Sequence, residues 1–153
     1  NIKFMKKILL LLNAFLIFTI IMTFKLDAKS SFFDEGKLLF EKEKFDDSKI
    51  FFERDIVFNP KSENSYLYLA KIFNNKEDDI NEEMNLNNVL LLNPKNEEAL
   101  YMLIILKIKQ SNYYEVEELI ERFVLVCKNF CSKTNEVKKK FSKLIPENEQ
   151  KKN

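Results

Sequence analysis

The chain contains no histidine and a single glycine, and these two shortages exclude most enzyme chemistry. Without histidine it lacks the usual general base, the Ser-His and Cys-His pairs and the commonest zinc ligand. With Gly36 as the only glycine, it has neither a glycine-rich phosphate loop nor a dinucleotide-binding fingerprint. We therefore expect a protein that is not an enzyme and that uses no metal or cofactor.

Arginine is also scarce, and the charge balance provides no basic surface for nucleic acid. Five of the 25 basic side chains and one of the 24 acidic ones lie within 1–30, which leaves 20 basic and 23 acidic, a net charge of −3. Arg54 and Arg122 are the only arginines that could form bidentate contacts with phosphate. Binding of DNA or RNA is therefore not expected.

Adjacent acidic residues occur at several places, for example 46–47, 78–79, 82–83 and 97–98. Pairs of carboxylates carry out acid–base catalysis in glycosidases. Each pair here falls at the start of a predicted helix, where negative charge complements the helix dipole and the side chain can cap. We interpret these residues as helix-start signals.

The segment 1–30 has the order of a secretory signal peptide. Three lysines within the first seven residues precede an apolar run over 8–24, and the small residues Ala28 and Ser30 follow. An uncleaved membrane anchor is the alternative, although 17 helical residues span only about 25 Å of a ~30 Å hydrocarbon core. A buried soluble helix is a third interpretation. Because the chain opens on asparagine, we expect Met5 to be the natural beginning, and we expect 31–153 to be exported.

Beyond residue 30, apolar residues recur at helical spacing and no stretch alternates as a strand would. For example, Tyr66, Leu69, Ala70 and Phe73 stand at i, i+3, i+4 and i+7, which places them on one face of a helix. The pattern predicts seven helices separated by polar turns. These are about 31–42, a second helix that ends at 59, then 63–74, 80–92, 97–110, 114–128 and 135–144.

Pro60 and Pro94 are separated by 34 positions, each preceded by Asn and followed by Lys, and each closes a pair of predicted helices. A period of about 34 residues built from two helices is the signature of tetratricopeptide repeats. Gly36 and Ala70 match the position at which that family has a small residue, where the two helices of a repeat approach each other closely. On these residues, the exported part of the chain resembles the tetratricopeptide repeat (TPR) family over nearly all of its length.

The resemblance implies an all-α solenoid of three helical hairpins, with repeats at about 29–62, 63–96 and 97–130. A capping helix over 133–145 and a disordered tail over 146–153 would complete the domain at 31–145. Five residues depart from the family pattern. They are Glu35 at a usually apolar site of the first repeat, Glu82 at a normally small site, Ile104 at the small position of the third repeat, Lys107 at an aromatic position and Lys128 at the closing proline. The second repeat also lacks the aromatic residue at the turn between its helices.

In the TPR family, the first helices of the repeats line a concave groove that holds an extended or helical peptide. The resemblance assigns nine residues to this partner-binding groove: Phe33, Lys37, Asn64, Leu67, Lys71, Asn74, Tyr101, Ile105 and Ile108. The alternative is that the aromatic ones pack against a neighbouring repeat or the N-terminal segment. The paired Lys and Arg with which some family members hold acidic chaperone tails are absent from the third repeat.

Cys127 and Cys131 stand four residues apart at the end of the last predicted hairpin. In an oxidising compartment, an even number of cysteines indicates a disulfide. Reduced thiols buried at a helix end are the alternative, with a redox or metal role as a third interpretation.

These observations predict an exported TPR scaffold or adaptor that holds a protein or peptide in the cell envelope. The protein would be periplasmic, or anchored in the inner membrane through 8–24 with its repeats facing the periplasm. The alternatives are an accessory subunit of an envelope enzyme or assembly complex, and a cytosolic TPR adaptor.

Overall fold

The computed structural model describes Lys6 and residues 28–143. The predicted signal or anchor lies almost wholly outside the described residues, and so does the predicted tail over 146–153. Within the described part, no helix is both long enough and apolar enough to cross a membrane.

The described chain from residue 28 to residue 143 is helical, with no strand, as expected. Its α-helices are α1 (Ala28–Glu41), α2 (Phe45–Phe58), α3 (Glu63–Asn75), α4 (Asp79–Leu92), α5 (Glu97–Lys109), α6 (Tyr113–Val126) and α7 (Thr134–Ser142). A short 3₁₀ helix, Cys131–Lys133, joins α6 to α7. The pairs α1–α2, α3–α4 and α5–α6 form three hairpins, and α7 packs against α5 and α6. The predicted fold class, a helical-hairpin solenoid with a C-terminal capping helix, is confirmed.

The same backbone device ends the first helix of each hairpin. Glu43, Glu77 and Ser111 follow one another at intervals of 34, and each has a left-handed φ, of 58°, 56° and 59° respectively. A single left-handed residue stops a helix and turns the chain, so that the next helix runs back along the first. The tight turn therefore recurs with the same period as the two prolines.

Polar side chains then start the next helices. The Asp78 side chain accepts a hydrogen bond from the backbone N–H of Asn81 at 3.1 Å, and Asn112 accepts one from Glu115 at 3.4 Å. Asn96 caps α5 in the same way, accepting from Ala99 at 2.8 Å. Each cap satisfies a donor that has no partner within the helix. Among the acidic pairs, Asp78 is therefore a cap, and the others lie in or next to first turns.

The apolar core runs along the stack of hairpins. One cluster extends from α3 to α7 and contains the fully buried Leu86, Leu100 and Phe123. A smaller cluster around Phe52 joins the first hairpin to α3, with aromatic rings packed about Tyr68. Each hairpin thus buries its apolar stripe against the next one, as stacked repeats require.

Two of the five residues that depart from the family pattern form buried polar contacts between helices. Glu82 is buried, and both of its carboxylate oxygens accept from Asn74 Nδ2 at 3.1 Å. Burial raises the pKa of the Glu82 carboxyl above its ordinary value, and the bond from Asn74 opposes that shift. Lys107 is also buried, and its Nζ lies 2.6 Å from Glu83 and 3.0 Å from Glu115. Burial alone would lower the pKa of Lys107, but the two carboxylates raise it.

The first hairpin depends on Gly36. Ser48 Oγ donates to the Gly36 carbonyl at 2.8 Å, which brings α2 against the backbone of α1. A Cβ atom at position 36 would lie 2.9 Å from the Phe52 ring, closer than van der Waals contact allows. Phe52 is fully buried and stacks on Tyr68 with ring centroids 5.0 Å apart, so its ring has little room to move.

We predict that Gly36→Ala destabilises the protein. Alanine normally gains about 0.5–1 kcal/mol over glycine within a helix, but overpacking a core costs roughly 1–3 kcal/mol. Thermal unfolding followed by circular dichroism should show a lower midpoint. Asn87→Ala, at an exposed site in the middle of α4, is the control and should leave the midpoint unchanged or slightly raised. If Gly36→Ala is as stable as the wild type, the close approach of α1 and α2 is not a constraint.

Candidate functional site

The candidate site is the face formed by α1, α3 and α5, the first helices of the three hairpins. At its centre, Lys71 of α3 forms an ion pair with Glu98 of α5 at 2.8 Å. The Lys71 ammonium also lies 4.9 Å from the centre of the Tyr68 ring, within the range of a cation–π interaction. The second and third hairpins are therefore linked across this face by an ion pair whose lysine also contacts an aromatic ring.

Tyr68 is a residue of this face that the sequence analysis missed. Its ring contacts Phe33 at 5.7 Å, Phe40 at 5.0 Å and Phe52 at 5.0 Å, and its side chain stays partly exposed. A tyrosine has an apolar ring and a polar hydroxyl, so it suits a half-buried position better than leucine does. That preference was the available signal for choosing Tyr68 over its neighbour Leu67.

Leu67 is correspondingly a correction to the predicted groove. Only 6% of it is exposed, and it belongs to the core cluster that spans α3 to α7. Adjacent positions on a helix point about 100° apart, so Leu67 and Tyr68 face different ways. The Leu67 side chain points into the core, where the second and third hairpins pack together. A polar substitution at Leu67 would therefore disturb the core.

Tyr101 connects this face to the capping helix. Its ring lies 6.5 Å from Phe123 and 6.3 Å from Phe130, and its hydroxyl donates to Glu136 Oε1 at 3.1 Å. Glu136 also pairs with Lys133 at 3.0 Å and Lys140 at 3.1 Å. These donors, the lysines first, lower the pKa of the Glu136 carboxyl to about 2. The start of α7 is thus held against α5, and Tyr101 contributes to packing as well as to the exposed face.

The other predicted groove residues are exposed or half-buried. Lys37 pairs with Glu41 of its own helix at 3.9 Å, and Asn74 is engaged by Glu82. Asn64 is exposed, whereas Ile105 and Ile108 are half-buried and pack on the main core. Phe33 is likewise half-buried, in the aromatic cluster around Tyr68. The face therefore combines partly exposed apolar side chains with charges that are already paired.

The loop after α6 is closed by a disulfide between Cys127 and Cys131, whose Cα atoms are 5.1 Å apart. The Glu97 carboxylate, in the first turn of α5, accepts hydrogen bonds in the same loop from the backbone N–H groups of Lys128 at 2.6 Å and of Asn129 and Phe130 at 2.9 Å. These bonds lower the pKa of the Glu97 carboxyl. Lys128, where the family has a closing proline, thus begins a loop held by the carboxylate and the disulfide together.

Glu97 has a counterpart one repeat earlier. Glu63, at the start of α3, accepts from Asn93 Nδ2 at 2.9 Å and from Asn96 Nδ2 at 2.6 Å. In both hairpins, a glutamate at the beginning of the first helix binds the turn that follows the second helix. Glu63 and Glu97 were visible in the sequence at equivalent positions of two repeats, but the partners of a carboxylate cannot be read from spacing.

Among the residues that the structure describes, no group of Asp, Glu or Cys side chains is arranged to hold a metal ion.

The described fold is similar to solved TPR domains. The first TPR domain of Spaghetti (RPAP3), solved with the HSP90 peptide SRMEEVD, aligns with a TM-score of 0.68 and 17% identity over 76% of this chain and 92% of that one. The TPR domain of Arabidopsis OM64 gives 0.70 and 15% over 78% and 98%. The TPR2B domain of yeast Sti1, solved as a complex with pHsp70, gives 0.64 and 16% over 80% and 98%. No protein-family model and no curated protein matches the sequence. At these identities the likeness shows the fold, which is that of a TPR domain.

We predict that unreduced protein has no free thiol and that the disulfide stabilises the loop after α6. Replacing Cys127 and Cys131 together by alanine should cost about 2 kcal/mol, because a short closed loop restricts the unfolded chain. The measurements are thiol labelling before and after reduction, and urea unfolding. Ser132→Ala, at an exposed site next to Cys131, is the control and should change neither. Full labelling of both thiols in native, unreduced protein would contradict the pairing.

Proposed function

We propose that this protein is a protein-interaction scaffold that binds a peptide or partner helix on the face formed by α1, α3 and α5. The observation that carries the proposal is the chemistry of this face, where Tyr68, Ile105 and Ile108 are partly exposed on the same two helices that carry the Lys71–Glu98 pair. The likeness to domains solved with partners supports a binding function, since the TPR domain of RPAP3 was solved with an HSP90 peptide and that of Sti1 in a complex with pHsp70.

The charges favour an apolar or amphipathic ligand over an acidic tail. Lys71 is neutralised by Glu98, and Lys37 lies within reach of Glu41. Glu98 of α5 lies in the same ion pair on this face, and its carboxylate would repel a carboxylate ligand. An amphipathic helix or extended segment could instead cover the half-exposed isoleucines and tyrosine and exclude water from the ion pair.

The groove proposal predicts that a partner is contacted at Asn64 and is not contacted on the opposite side of the hairpin. A photo-crosslinking amino acid at Asn64 should give a discrete adduct in cells, because this exposed residue lies on the proposed binding face. The matched control places the same amino acid at Asn87, an exposed asparagine of α4.

A second substitution on the same face makes this test specific. Ile105→Asp, combined with the cross-linker at Asn64, should abolish the adduct, whereas Asn87→Asp should preserve it. Circular dichroism of both variants establishes that the helices are intact. Equal adducts at positions 64 and 87, or an adduct that survives Ile105→Asp in folded protein, would refute binding on this face.

We also propose that the repeats act outside the cytoplasm, in the periplasm or on the periplasmic side of the inner membrane. The lysine-led apolar run over 8–24 supports export. The disulfide gives independent support, since such bonds persist in oxidising compartments and are rare in the cytosol. A cytosolic adaptor with the same groove is the competing proposal.

Export predicts that a reporter fused after Lys143 is active when it requires the periplasm, because lysines before the apolar run keep the N-terminus inside. A matched fusion with Leu11→Arg and Leu16→Arg should be inactive, since charge in the apolar run blocks insertion. An inactive wild-type fusion that accumulates as soluble cytoplasmic protein would refute export and leave the groove proposal standing.

A further inference from the structure

Exposed apolar side chains recur at the ends of the second helices of the hairpins. Val57 is 75% exposed, Leu91 is 80% exposed and Leu125 is 84% exposed. These residues are spaced by 34 along the chain, and each is the second-last residue of its helix, α2, α4 or α6. Packing within the domain does not explain them, because they face away from it.

These three residues belong to one edge of the solenoid. Within a hairpin the second helix runs back along the first, so the end of α2 lies beside the beginning of α1. The stacking of Phe58 on Phe32, with centroids 5.5 Å apart, shows this for the first hairpin. The bonds from Asn93 to Glu63 and from the loop after α6 to Glu97 show it for the other two.

We call this side the apolar edge and define it by Val57, Phe58, Leu91, Leu92 and Leu125. Phe58 is also exposed, and so is Leu92 to a smaller extent. The edge therefore carries at least one exposed apolar side chain from every hairpin.

The opposite edge, which we call the polar edge, carries the turns at 42–44, 76–78 and 110–112. These turns contain only charged and polar residues. Ile80 and Tyr114, which follow the second and third turns, are exposed, but the charged Asp46 stands at the equivalent position of the first hairpin. No apolar row therefore continues along the whole of the polar edge.

Lysines accompany the apolar edge. Lys61, Lys95 and Lys128 are exposed and follow the three helix ends within four residues. The carboxylates of Glu63 and Glu97 nearby are occupied by donors of their own hairpins. Apolar side chains flanked by lysines suit the boundary between lipid acyl chains and anionic headgroups.

The sequence leads into this same edge. The apolar run over 8–24 is separated from α1 by residues 25–27 alone, and α1 begins at the apolar edge. If the run is retained as an anchor, the start of α1 is held within a few residues of the bilayer. We infer that the apolar edge lies on the membrane surface, with Val57, Leu91 and Leu125 in contact with lipid.

This inference rests on the membrane-anchored form of the proposed localisation. In this orientation the polar edge points away from the bilayer. The face of α1, α3 and α5 then stands beside the membrane surface and remains accessible. The domain would thus present its groove to partners that move along or above the same membrane.

The absence of tryptophan makes the orientation measurable. Val57→Trp, Leu91→Trp and Leu125→Trp each place one fluorophore on the apolar edge, at sites too exposed to disturb the core. Lys42→Trp, in the exposed turn after α1, is the control on the polar edge. Each full-length variant is reconstituted into vesicles of phosphatidylcholine and phosphatidylglycerol with brominated acyl chains, which quench fluorophores that they touch.

We expect strong quenching and a blue-shifted emission for all three edge variants, and neither change for Lys42→Trp. Quenching confined to Val57→Trp, or absent from all three, would overturn the inference, because the edge would then not lie along the bilayer. An emission shift that depends on protein concentration without vesicles would also overturn it, in favour of a second copy on this edge.

A parallel measurement separates this inference from the proposals on which it builds. If alkaline carbonate extracts the wild-type chain from cell membranes, the anchor is not retained and the inference fails, while cross-linking at Asn64 still decides the groove. If the chain resists extraction but Leu91→Trp and Leu125→Trp are not quenched, the anchor stands and the orientation of the edge is wrong.

Discussion

The fold depends on the burial of each hairpin's apolar stripe against the next hairpin. Two helices alone leave one apolar face in water, and the free energy gained on burial scales with the area removed from water. Phe52 shows how this works, since it lies within the first hairpin yet is covered by Tyr68 of the second. At the far end, α7 plays the part of the next hairpin through Val137, which is fully buried, while its lysines remain in water. Each interface between neighbouring hairpins therefore adds to the stability of the array. The array can end at α7 because one face of that helix is polar and remains in water.

Polar contacts between neighbouring hairpins also join the stack, and they do so at specific positions along the helices. Lys76 pairs with Asp46, and Lys109 pairs with Asp79 at 2.6 Å, so the same kind of ion pair joins successive hairpins twice. Exposed pairs of this kind contribute little stability. Buried polar groups are more demanding, because leaving one partner unpaired costs more than the pair gains. Lys107, between Glu83 and Glu115, accordingly links α4, α5 and α6, and any shift that broke these contacts would leave a buried charge unpaired.

The sequence predicted the helices well because their ends are local features, whereas the site depends on distant packing. Proline spacing, capping asparagines and polar turns act within a few residues, and each predicted helix is present with ends shifted by three residues at most. Leu67 and Tyr68 are neighbours on one helix, and Leu67 is the one that packing against distant residues covers, a contact that its position in the sequence does not show. Long-range partners were beyond prediction for the same reason, since Tyr101 donates to Glu136 across 35 residues. Residue type shows that such groups need partners, but not which ones they find.

The domain has two different surfaces with exposed apolar side chains, the face of α1, α3 and α5 and the apolar edge. Charges on the face of α1, α3 and α5 are paired and its apolar side chains are half-covered, which limits non-specific adhesion while leaving area for a complementary segment. The apolar edge has no such protection at Val57, Leu91 and Leu125. Isolated apolar residues on a surface are ordinary, but a row with the period of the repeat is not. A row of that kind suits an environment that each repeat meets at the same position. A bilayer surface is continuous along all three hairpins, whereas a short peptide contacts them unequally.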